Sequence, residues 1–368
     1  MRLLRNYFLK EFLSPTLMTL VVLSFIMALV GNLKRIADLV INKGVDIISV
    51  SKLFFLMTPY IITYALPISV LIGTLLSLGR LSSDNEIIAI RSSGVNLLRL
   101  LIPIFLVSFI LSLGLVVFND RVSSYAHFSY RKTLLEIGVK NPTAAFEEGV
   151  FINSFQKYIL FIYHVDQKNN RLNNIRIYEP QGEDKPTRTI IAKAGEFITD
   201  PKNNSVKLKL IDGTSDEPDP ENPTNFFKLN FKTYFMNLNL AQSQDKKKID
   251  KKPKDMNIKE LREEISKLKK GNIDTSPLMA EIMEKIMLGL SCFFFTLLGA
   301  PLAIRTRRRE KSINIGMAIL MITIYYPLFI GCAALGIEGF ILPQISMWIP
   351  NALFGVLGGF LTYKLCAS

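Results

Sequence analysis

Long apolar runs separate polar stretches along this chain, and six of the runs are long enough to cross a lipid bilayer. A transmembrane helix needs about 20 apolar residues, because it must span about 30 Å of hydrocarbon. The predicted helices lie near Phe12–Leu33, Phe54–Leu78, Leu97–Phe118, Leu278–Ile304, Ile313–Leu335 and Gln344–Cys366. The pattern therefore predicts a polytopic α-helical membrane protein with six transmembrane helices.

The segment between the third and fourth predicted helices, residues 119–277, replaces these runs with an alternation of apolar and polar residues. In Ser205–Ile211, Val206, Leu208 and Leu210 alternate with lysines, as in a strand with one apolar face. Further strand candidates are Gly149–Ser154, Tyr158–His164, Asn174–Tyr178, Thr189–Phe197 and Phe227–Lys232. We expect an inserted antiparallel sheet of about six or seven strands, in a sandwich or an open roll. Its apolar face forms a core, and an open-edged roll could also present that face to a lipid chain.

A charged linker and an amphipathic helix follow the strands. Residues 244–255 read QDKKKIDKKPKD, which fits a solvated segment. In Asn257–Lys269 apolar residues recur at helical spacing, and Asn257 is a good N-cap. This helix could lie at the membrane surface or pack on the sheet, and we favour the sheet. The expected domains are residues 1–118, 119–277 and 278–368.

Basic residues predict the orientation of the helices, since short cytoplasmic loops carry an excess of Lys and Arg. With the amino terminus inside, the RTRRREK segment at residues 305–311 dominates the basic residues on the inner side. The short outer loops contain only Lys34, Arg35, Lys43 and Lys52. Both termini are therefore expected in the cytoplasm, and the sheet is expected outside it.

Composition narrows the classes of function. The 368-residue chain is 49% hydrophobic with a net charge of +13, but this charge is dispersed and no groove-reading motif accompanies it. We therefore expect no nucleic-acid partner. The cysteines, Cys292, Cys332 and Cys366, lack the spacing of a zinc site, so no metal is expected. The chain contains no GxxxxGK(S/T) phosphate loop and no hydrolase motif, which argues against an enzyme or a self-contained ATPase.

The loop between the second and third predicted helices, residues 79–96, reads GRLSSDNEIIAIRSSGVN. Ser83 and Glu86 match a capping box, which predicts a short helix that ends near Gly94. Its expected apolar face consists of Ile87, Ile88 and Ile90. A cytoplasmic motor domain could grip such a helix and move the two spans. The alternative is that Glu86 only completes the cap and the isoleucines only lie in the membrane interface.

Charged residues also lie near the outer ends of two predicted helices. Lys34 and Arg35, at the end of the first helix, run against the positive-inside trend. They could bind headgroup phosphates, for which Arg offers paired donors, or they could simply snorkel to the interface. Glu281, Glu284 and Lys285 begin the fourth helix, and we interpret them first as structural ion pairs.

These features together resemble the YjgP/YjgQ permeases, the lipopolysaccharide export permeases LptF and LptG. The order of six helices with a β domain between the third and fourth is similar. The loop LGRLSSDNEIIAIRSSGVN around Glu86 is the most specific part of the resemblance. The stretches RNYFLKEFL, ALPISVLIGTLLSLGRL, AEIMEKIMLGL and WIPNALFG also resemble the family. The β domain and the linker match in pattern only.

The resemblance implies a permease subunit of an ATP-driven, ABC-type lipopolysaccharide exporter in the bacterial inner membrane, with a periplasmic, jellyroll-like β domain. It implies as partners a second LptF/LptG-type permease, an LptB-like ATPase dimer, LptC-like and LptA-like periplasmic bridge proteins, and lipopolysaccharide. This chain is expected to bind no cofactor, since ATP and Mg belong to the ATPase. The first and fifth helices are expected to form a lateral gate.

The resemblance also assigns roles to particular residues. Glu86 matches the acidic residue that faces the ATPase, and Lys34 and Arg35 match the basic, substrate-binding end of the first helix. The expected coupling residues are Ser83, Asp84, Glu86, Ile87, Ile90 and Arg91.

Two other functions compete with this interpretation. A membrane sensor or assembly scaffold could carry a ligand-binding β domain outside the cytoplasm, but this chain has no cytoplasmic signalling domain to support it. A lipoprotein-release or peptide-export permease typically has four spans and a domain after the first, which does not fit. The sequence leaves open whether the chain takes the LptF or the LptG part or pairs with itself, and which glycolipid it carries.

Overall fold

The structure is a computed structural model, and it describes residues 2–37, 40, 45–140, 149, 151–155, 158–166, 171–180, 187–200, 205–218, 226–238, 251–271, 273–306 and 311–367. Most of the charged linker and the arginines at 307–309 therefore lie outside the described residues. Two compact units occur in the chain. The helical unit comprises Met1–Gly31, Leu56–Phe128 and Lys251–Ser368, and the sheet unit comprises Asn32–Phe55 and Ser129–Asp250.

The described helices are α1 (Arg2–Ala37), α2 (Ile47–Ser83), α3 (Glu86–Ser92), α4 (Leu97–Phe118), α5 (Ser124–Lys140), α6 (Ile258–Lys270), α7 (Ser276–Arg305), α8 (Lys311–Ile337), α9 (Pro343–Ser346) and α10 (Ile349–Ala367). A π-helical turn, Asn119–Ser123, joins α4 to α5. Six stretches are long and apolar enough to cross a membrane: Leu3–Val30, Ile47–Ser83, Leu97–Leu134, Ser276–Arg305, Ile313–Ile337 and Pro343–Cys366. The six predicted transmembrane helices are therefore confirmed.

The spans differ greatly in how much of their surface the chain itself covers. About two thirds of the apolar window is buried in α2 and in α7 (67% each), against 28% in α8 and 11% in α1. The core of the helical unit contains an aromatic cluster in which the rings of Phe295 and Tyr325 lie 4.6 Å apart. Buried Tyr325 donates to Asn351 Oδ1 (2.8 Å), so these two buried polar groups are paired with each other.

Close approach of α10 to α7 depends on a glycine. A Cβ atom added to Gly358 would lie 2.7 Å from the backbone nitrogen of Leu298, whereas one added to the neighbouring Gly359 would meet nothing within 4 Å. Small residues allow such backbone contact between membrane helices. Gly358 therefore permits the close packing of α10 on α7.

Six antiparallel strands form a single sheet in chain order. They are β1 (Phe151–Phe155), β2 (Tyr158–Asp166), β3 (Arg171–Glu179), β4 (Arg188–Asp200), β5 (Ser205–Pro218) and β6 (Phe226–Leu238). All six strand candidates are confirmed, and each is paired with its neighbour in sequence. The described strands form one sheet, so they fit the open roll and not the two-sheet sandwich.

One face of this sheet is apolar and buried, as period-two alternation requires. Leu160 and Ile162 of β2, Ile175 of β3 and Leu208 and Leu210 of β5 are fully buried in one cluster. Because these side chains pack on one another across several strands, the described core needs no second sheet. The lysines that alternate with Leu208 and Leu210 point to the other face, and this reproduces the predicted pattern.

The amphipathic helix α6 begins as the sequence predicts. Asn257 Oδ1 accepts a hydrogen bond from the Glu260 N–H (2.8 Å), and Glu260 Oε2 accepts one from the Asn257 N–H (3.0 Å). The apolar residues Leu261 and Ile265 are buried in a cluster with Ile282 of α7. The expectation that this face packs on the sheet is therefore wrong, because the apolar start of α7 covers it.

Glu260 gains a second partner from the segment before α6. Burial disfavours its carboxylate, but hydrogen bonds from the Lys251 ammonium and the Asn257 N–H outweigh burial and lower the pKa of Glu260. A carboxylate with a lowered pKa stabilises the fold above its ordinary pKa and loses that contribution as the pH falls through the lowered value. The cap of α6 is therefore strongest at neutral pH.

Candidate functional site

The chain between the second and third spans forms a short helix bounded by residues in the left-handed region. α2 ends at Ser83 and α3 begins at Glu86. Between them Asn85 has φ 58° and ψ 13°, and beyond α3 Gly94 has φ +78°. Asn and Gly adopt this region at low cost, so the sequence itself sets both ends of α3. The predicted short helix at about residues 83–91 is therefore present, with a later start.

The capping box predicted from Ser83 and Glu86 is wrong. Ser83 is the last residue of α2, and its hydroxyl donates to the Arg80 carbonyl (2.9 Å). The N-cap residue of α3 is Asn85, and its side chain makes no capping hydrogen bond. A capping box needs an extended residue before the helix, whereas here α2 continues through Ser83 and left-handed Asn85 makes the turn.

One face of α3 is buried and the other is exposed. Ile87 is 2% exposed, and Ile90 packs on the same core cluster. Ile88 is 42% exposed, so its expected place on the apolar face is wrong, because it lies about 100° around the helix from Ile87. Asp84 and Arg91 are exposed as well. Ile88 and Arg91 have helical spacing on the exposed face of α3, and the exposed Asp84 lies in the turn that precedes this helix.

The first turns of α1 hold the turn before α3. The Tyr7 hydroxyl donates to Glu86 Oε1 (3.2 Å), and Glu11 Oε1 lies 3.1 Å from Arg80 Nη2. Among the described residues, Glu86 Oε2 has no hydrogen-bond partner. The sequence analysis missed Tyr7 and Glu11, because 79 residues separate Tyr7 from Glu86 and no local pattern links them.

Two later helices contact the same end of α2. The Ser82 hydroxyl donates to the Ile304 carbonyl in the last turn of α7 (2.8 Å). A Cβ atom on Gly79 would lie 2.1 Å from Asn314 Nδ2, so α8 begins directly against α2. The base of α3 is therefore a point where α1, α2, α7 and α8 come together.

The predicted substrate-binding pair lies apart from this region in sequence. Lys34 and Arg35 belong to the last turns of α1, which ends at Ala37. Their side chains lie outside the part of the chain that the structure describes. The structure thus confirms only their helical backbone, and their role stays a prediction.

A buried lysine lies near the carboxyl end of α4, the end of this helix that is away from α3. Lys285 of α7 is 7% exposed, and its ammonium donates to Ser124 Oγ (2.6 Å) and to the Met256 carbonyl (2.8 Å). Glu281 Oε1 lies 3.9 Å from the same nitrogen. The ammonium thus joins α7 to α5 and to the segment that leads into α6. The structural ion pair expected from the i, i+4 spacing is present.

A small open cavity of about 40 Å³ lies beside this lysine. On its wall the Thr63 hydroxyl donates to Asn119 Oδ1 (2.7 Å), and Asn119 Nδ2 donates to the Lys285 carbonyl (3.2 Å). Tyr64 donates to Glu284 Oε1 (3.3 Å). Since these polar groups are paired with one another, the cavity wall is a structural network. No group of three His, Cys, Asp or Glu side chains that could hold a metal occurs among the described residues.

Six spans, an antiparallel sheet inserted between the third and fourth, and a short helix between the second and third define a polytopic membrane protein with an inserted sheet domain. Residues 6–364 match the family described as lipopolysaccharide export system permease LptF/LptG. The chain therefore belongs to the LptF/LptG family.

Individual relatives are distant in sequence. The lipopolysaccharide export system permease protein LptF of Escherichia coli (strain K12) is 22% identical over 350 residues, which cover 95% of this chain and 91% of that protein. The protein of the same name from Shigella flexneri matches equally. An uncharacterised protein of Rickettsia prowazekii (strain Madrid E) is 24% identical over 221 residues, which cover 60% of this chain and 59% of that protein. Family membership supports a multi-pass transport subunit of the inner membrane, not a catalytic one.

Replacing Lys285 by Met should destabilise the helical unit by about 3 kcal/mol, because Glu281 is then left buried without its cation. Thermal unfolding of the purified chain in detergent measures the effect. Adding Glu281→Gln to Lys285→Met should recover part of the loss. Lys267→Met, which removes a lysine that is exposed on α6, should be neutral. Equal unfolding temperatures for the wild type and Lys285→Met would contradict the role given to this ammonium.

Proposed function

We propose that this chain is a non-catalytic permease subunit of an ATP-driven, ABC-type exporter that extracts lipopolysaccharide from the outer leaflet of the inner membrane. A separate LptB-like ATPase dimer supplies the work and binds the ATP and Mg, so this chain binds no cofactor. A second LptF/LptG-type permease completes the bundle. LptC-like and LptA-like proteins continue the path through the periplasm.

The observation that carries this proposal is the geometry of α3. Its buried face is held against the helical unit by Ile87 and Ile90, while Asp84, Ile88 and Arg91 face outward. A partner that grips the outer face therefore acts on a helix that is already fixed to the spans. We assign the coupling role to this helix, with Glu86 as its acidic contact to the ATPase.

The cargo explains why external work is needed. Moving an acyl chain from the bilayer into water costs about 0.8 kcal/mol for each methylene group, and lipopolysaccharide has several chains. The sequence contains no nucleotide-binding loop to pay this cost within the chain. An ATPase on a separate chain, bound through α3, would supply the free energy that extraction of the acyl chains requires.

The exposed helices fit an assembly with a second permease. Among the six spans, α1 and α8 are the least covered by this chain. In a membrane, such apolar surfaces contact either lipid or another membrane chain. We therefore place the second permease and the lateral gate at α1 and α8, the first and fifth spans.

Orientation follows from the charges. Basic residues concentrate in the segments on the same side of the membrane as α3, which supports our placing this side and both termini in the cytoplasm. The sheet then lies in the periplasm, where its apolar face can take part in passing an acyl chain to the bridge. Lys34 and Arg35 at the outer end of α1 are suited to the phosphates of the glycolipid.

Glu86→Lys should abolish co-purification of the ATPase while the chain still inserts into the membrane, because the carboxylate that meets the partner is reversed in charge. Affinity purification from native membranes, followed by identification of the bound proteins, measures this. Glu338→Lys, a charge reversal at an exposed position after α8, serves as the matched control and should retain the ATPase. Normal ATPase recovery and transport with Glu86→Lys would remove the coupling role.

Lys34→Ser combined with Arg35→Ser should reduce photo-crosslinking of glycolipid to the exporter several-fold, since the phosphate contacts are lost. Lys52→Ser, at an exposed position near the start of α2, is the control and should crosslink normally. If the double variant crosslinks as well as the wild type, the two residues only snorkel to the interface.

Single cysteines in a cysteine-free background should report the orientation. Asn230→Cys on β6 should react with a membrane-impermeant maleimide in cells whose outer membrane has been permeabilised, and Ser92→Cys on α3 should react only after the inner membrane is opened. Both positions are exposed, so accessibility within the protein does not decide the result. The reverse labelling pattern would overturn the proposed orientation and, with it, the export function.

A further inference from the structure

We propose that the amino-terminal turns of α1 are a positioning element for the coupling helix. Tyr7 and Glu11, which we call the α1 clasp, hold the base of α3 and pass its displacement into α1. The inference rests on the proposed function in one respect, namely that α3 receives the force of the motor. It assigns roles to two residues outside the predicted coupling set.

The clasp consists of two polar contacts one helical turn apart. The Tyr7 hydroxyl donates to Glu86 Oε1 (3.2 Å), and Glu11 Oε1 lies 3.1 Å from Arg80 Nη2. Residues at i and i+4 share one face of a helix, so α1 presents both groups to the same surface. One contact reaches the first residue of α3, and the other reaches α2 one turn before the junction. Together they hold both sides of the turn at Asn85.

Apolar packing supports the clasp from the adjacent face of α1. Phe8 and Phe12 are 1% and 0% exposed and belong to the core cluster that contains Ile87. One turn further on, a Cβ atom on Gly73 would lie 2.0 Å from Thr16 Oγ1, so α1 and α2 are in direct contact there. The first four turns of α1 are therefore fixed to the helices that carry α3.

Beyond Thr16 the helix is attached to little else in the helical unit. From Leu17 to Val30 most large side chains are exposed, including Met18 (71%) and Val30 (80%), and Ala28 is the only residue of this described stretch that is buried. Pro15 lies at the change between the two parts, where it removes one backbone hydrogen bond. A helix that is packed at one end and mostly exposed along the following stretch, Leu17–Val30, moves as a lever when its packed end is displaced.

Stability alone does not explain the clasp. Arg80 and Tyr7 are 46% and 39% exposed, and exposed polar pairs contribute little to the free energy of folding. Such contacts do fix the orientation of Glu86 relative to α1. We therefore treat Tyr7 and Glu11 as positioning residues, which do not contact the partner themselves.

Tyr7→Phe removes one oxygen and keeps the ring, so it tests the contact with little disturbance of packing. ATPase co-purification should be unchanged, whereas glycolipid released per ATP hydrolysed should fall about fivefold, the effect of losing one hydrogen bond. Amide hydrogen exchange of residues 86–92 should accelerate by a similar factor. Tyr363→Phe, at a 75% exposed tyrosine on α10, should change neither quantity.

Glu11→Arg should also uncouple the exporter, and Glu11→Arg with Arg80→Glu should restore coupling.

The outcomes separate this inference from the proposed function. An unchanged ratio of glycolipid to ATP in Tyr7→Phe overturns the lever, whatever the exchange rates show. Loss of ATPase binding in the same variant also overturns it, because Tyr7 would then belong to the docking surface. If the wild-type chain recovers no ATPase, the proposed function fails first, and unchanged exchange at residues 86–92 would independently refute the clasp.

Discussion

The burial of α7 is the constraint on which both candidate regions depend. This helix packs on α4, α8 and α10, and its two ends each carry a hydrogen-bonded connection to other elements. At one end the Lys285 ammonium binds Ser124 and Met256, and at the other the Ile304 carbonyl accepts from Ser82. An apolar bundle has weak directional preference in lipid, so such paired polar groups fix the depth and rotation of a helix. The region around α3 and the cavity beside Lys285 are thereby both held by contacts to α7.

The sequence predicts the elements well because their physical signals are local. Apolar length identifies the six spans, alternation identifies the six strands, and Asn257 identifies the start of α6. The failures have a different origin. The box at Ser83 satisfies a local rule, but α2 continues through that residue and turns the serine toward its own helix. Ile88 is apolar, and the pattern therefore predicts it on the buried face. Its position around the helix, about 100° from Ile87, places it on the exposed face instead.

Contacts between distant segments could not be predicted in the same way. Lys285 lies 161 residues from Ser124, and Tyr7 lies 79 residues from Glu86. No periodicity connects such pairs, and only the ion pair of Lys285 with Glu281 was visible, since it has helical spacing. The resemblance to the permease family drew attention to Glu86 but not to the groups that hold it. The candidate site was therefore found from the sequence, while its support was not.

The proposed separate motor would impose a mechanical requirement that the helices of this chain meet to different degrees. Work applied at α3 reaches the cargo only if some helix follows α3 and is not held back by the rest of the bundle. α7 cannot follow a movement of α3, because it is mostly buried and is hydrogen-bonded to other elements through Lys285 and Ile304. α1 is packed at Phe8 and Phe12 and is largely exposed from Leu17 to Val30, unlike α7, which is mostly buried. Under the proposed coupling, a small displacement at the clasp is then carried along the exposed part of α1 without unpacking the core. The same argument explains why the clasp uses exposed polar contacts: they orient Glu86 but do not lock α1 against the movement that transport requires.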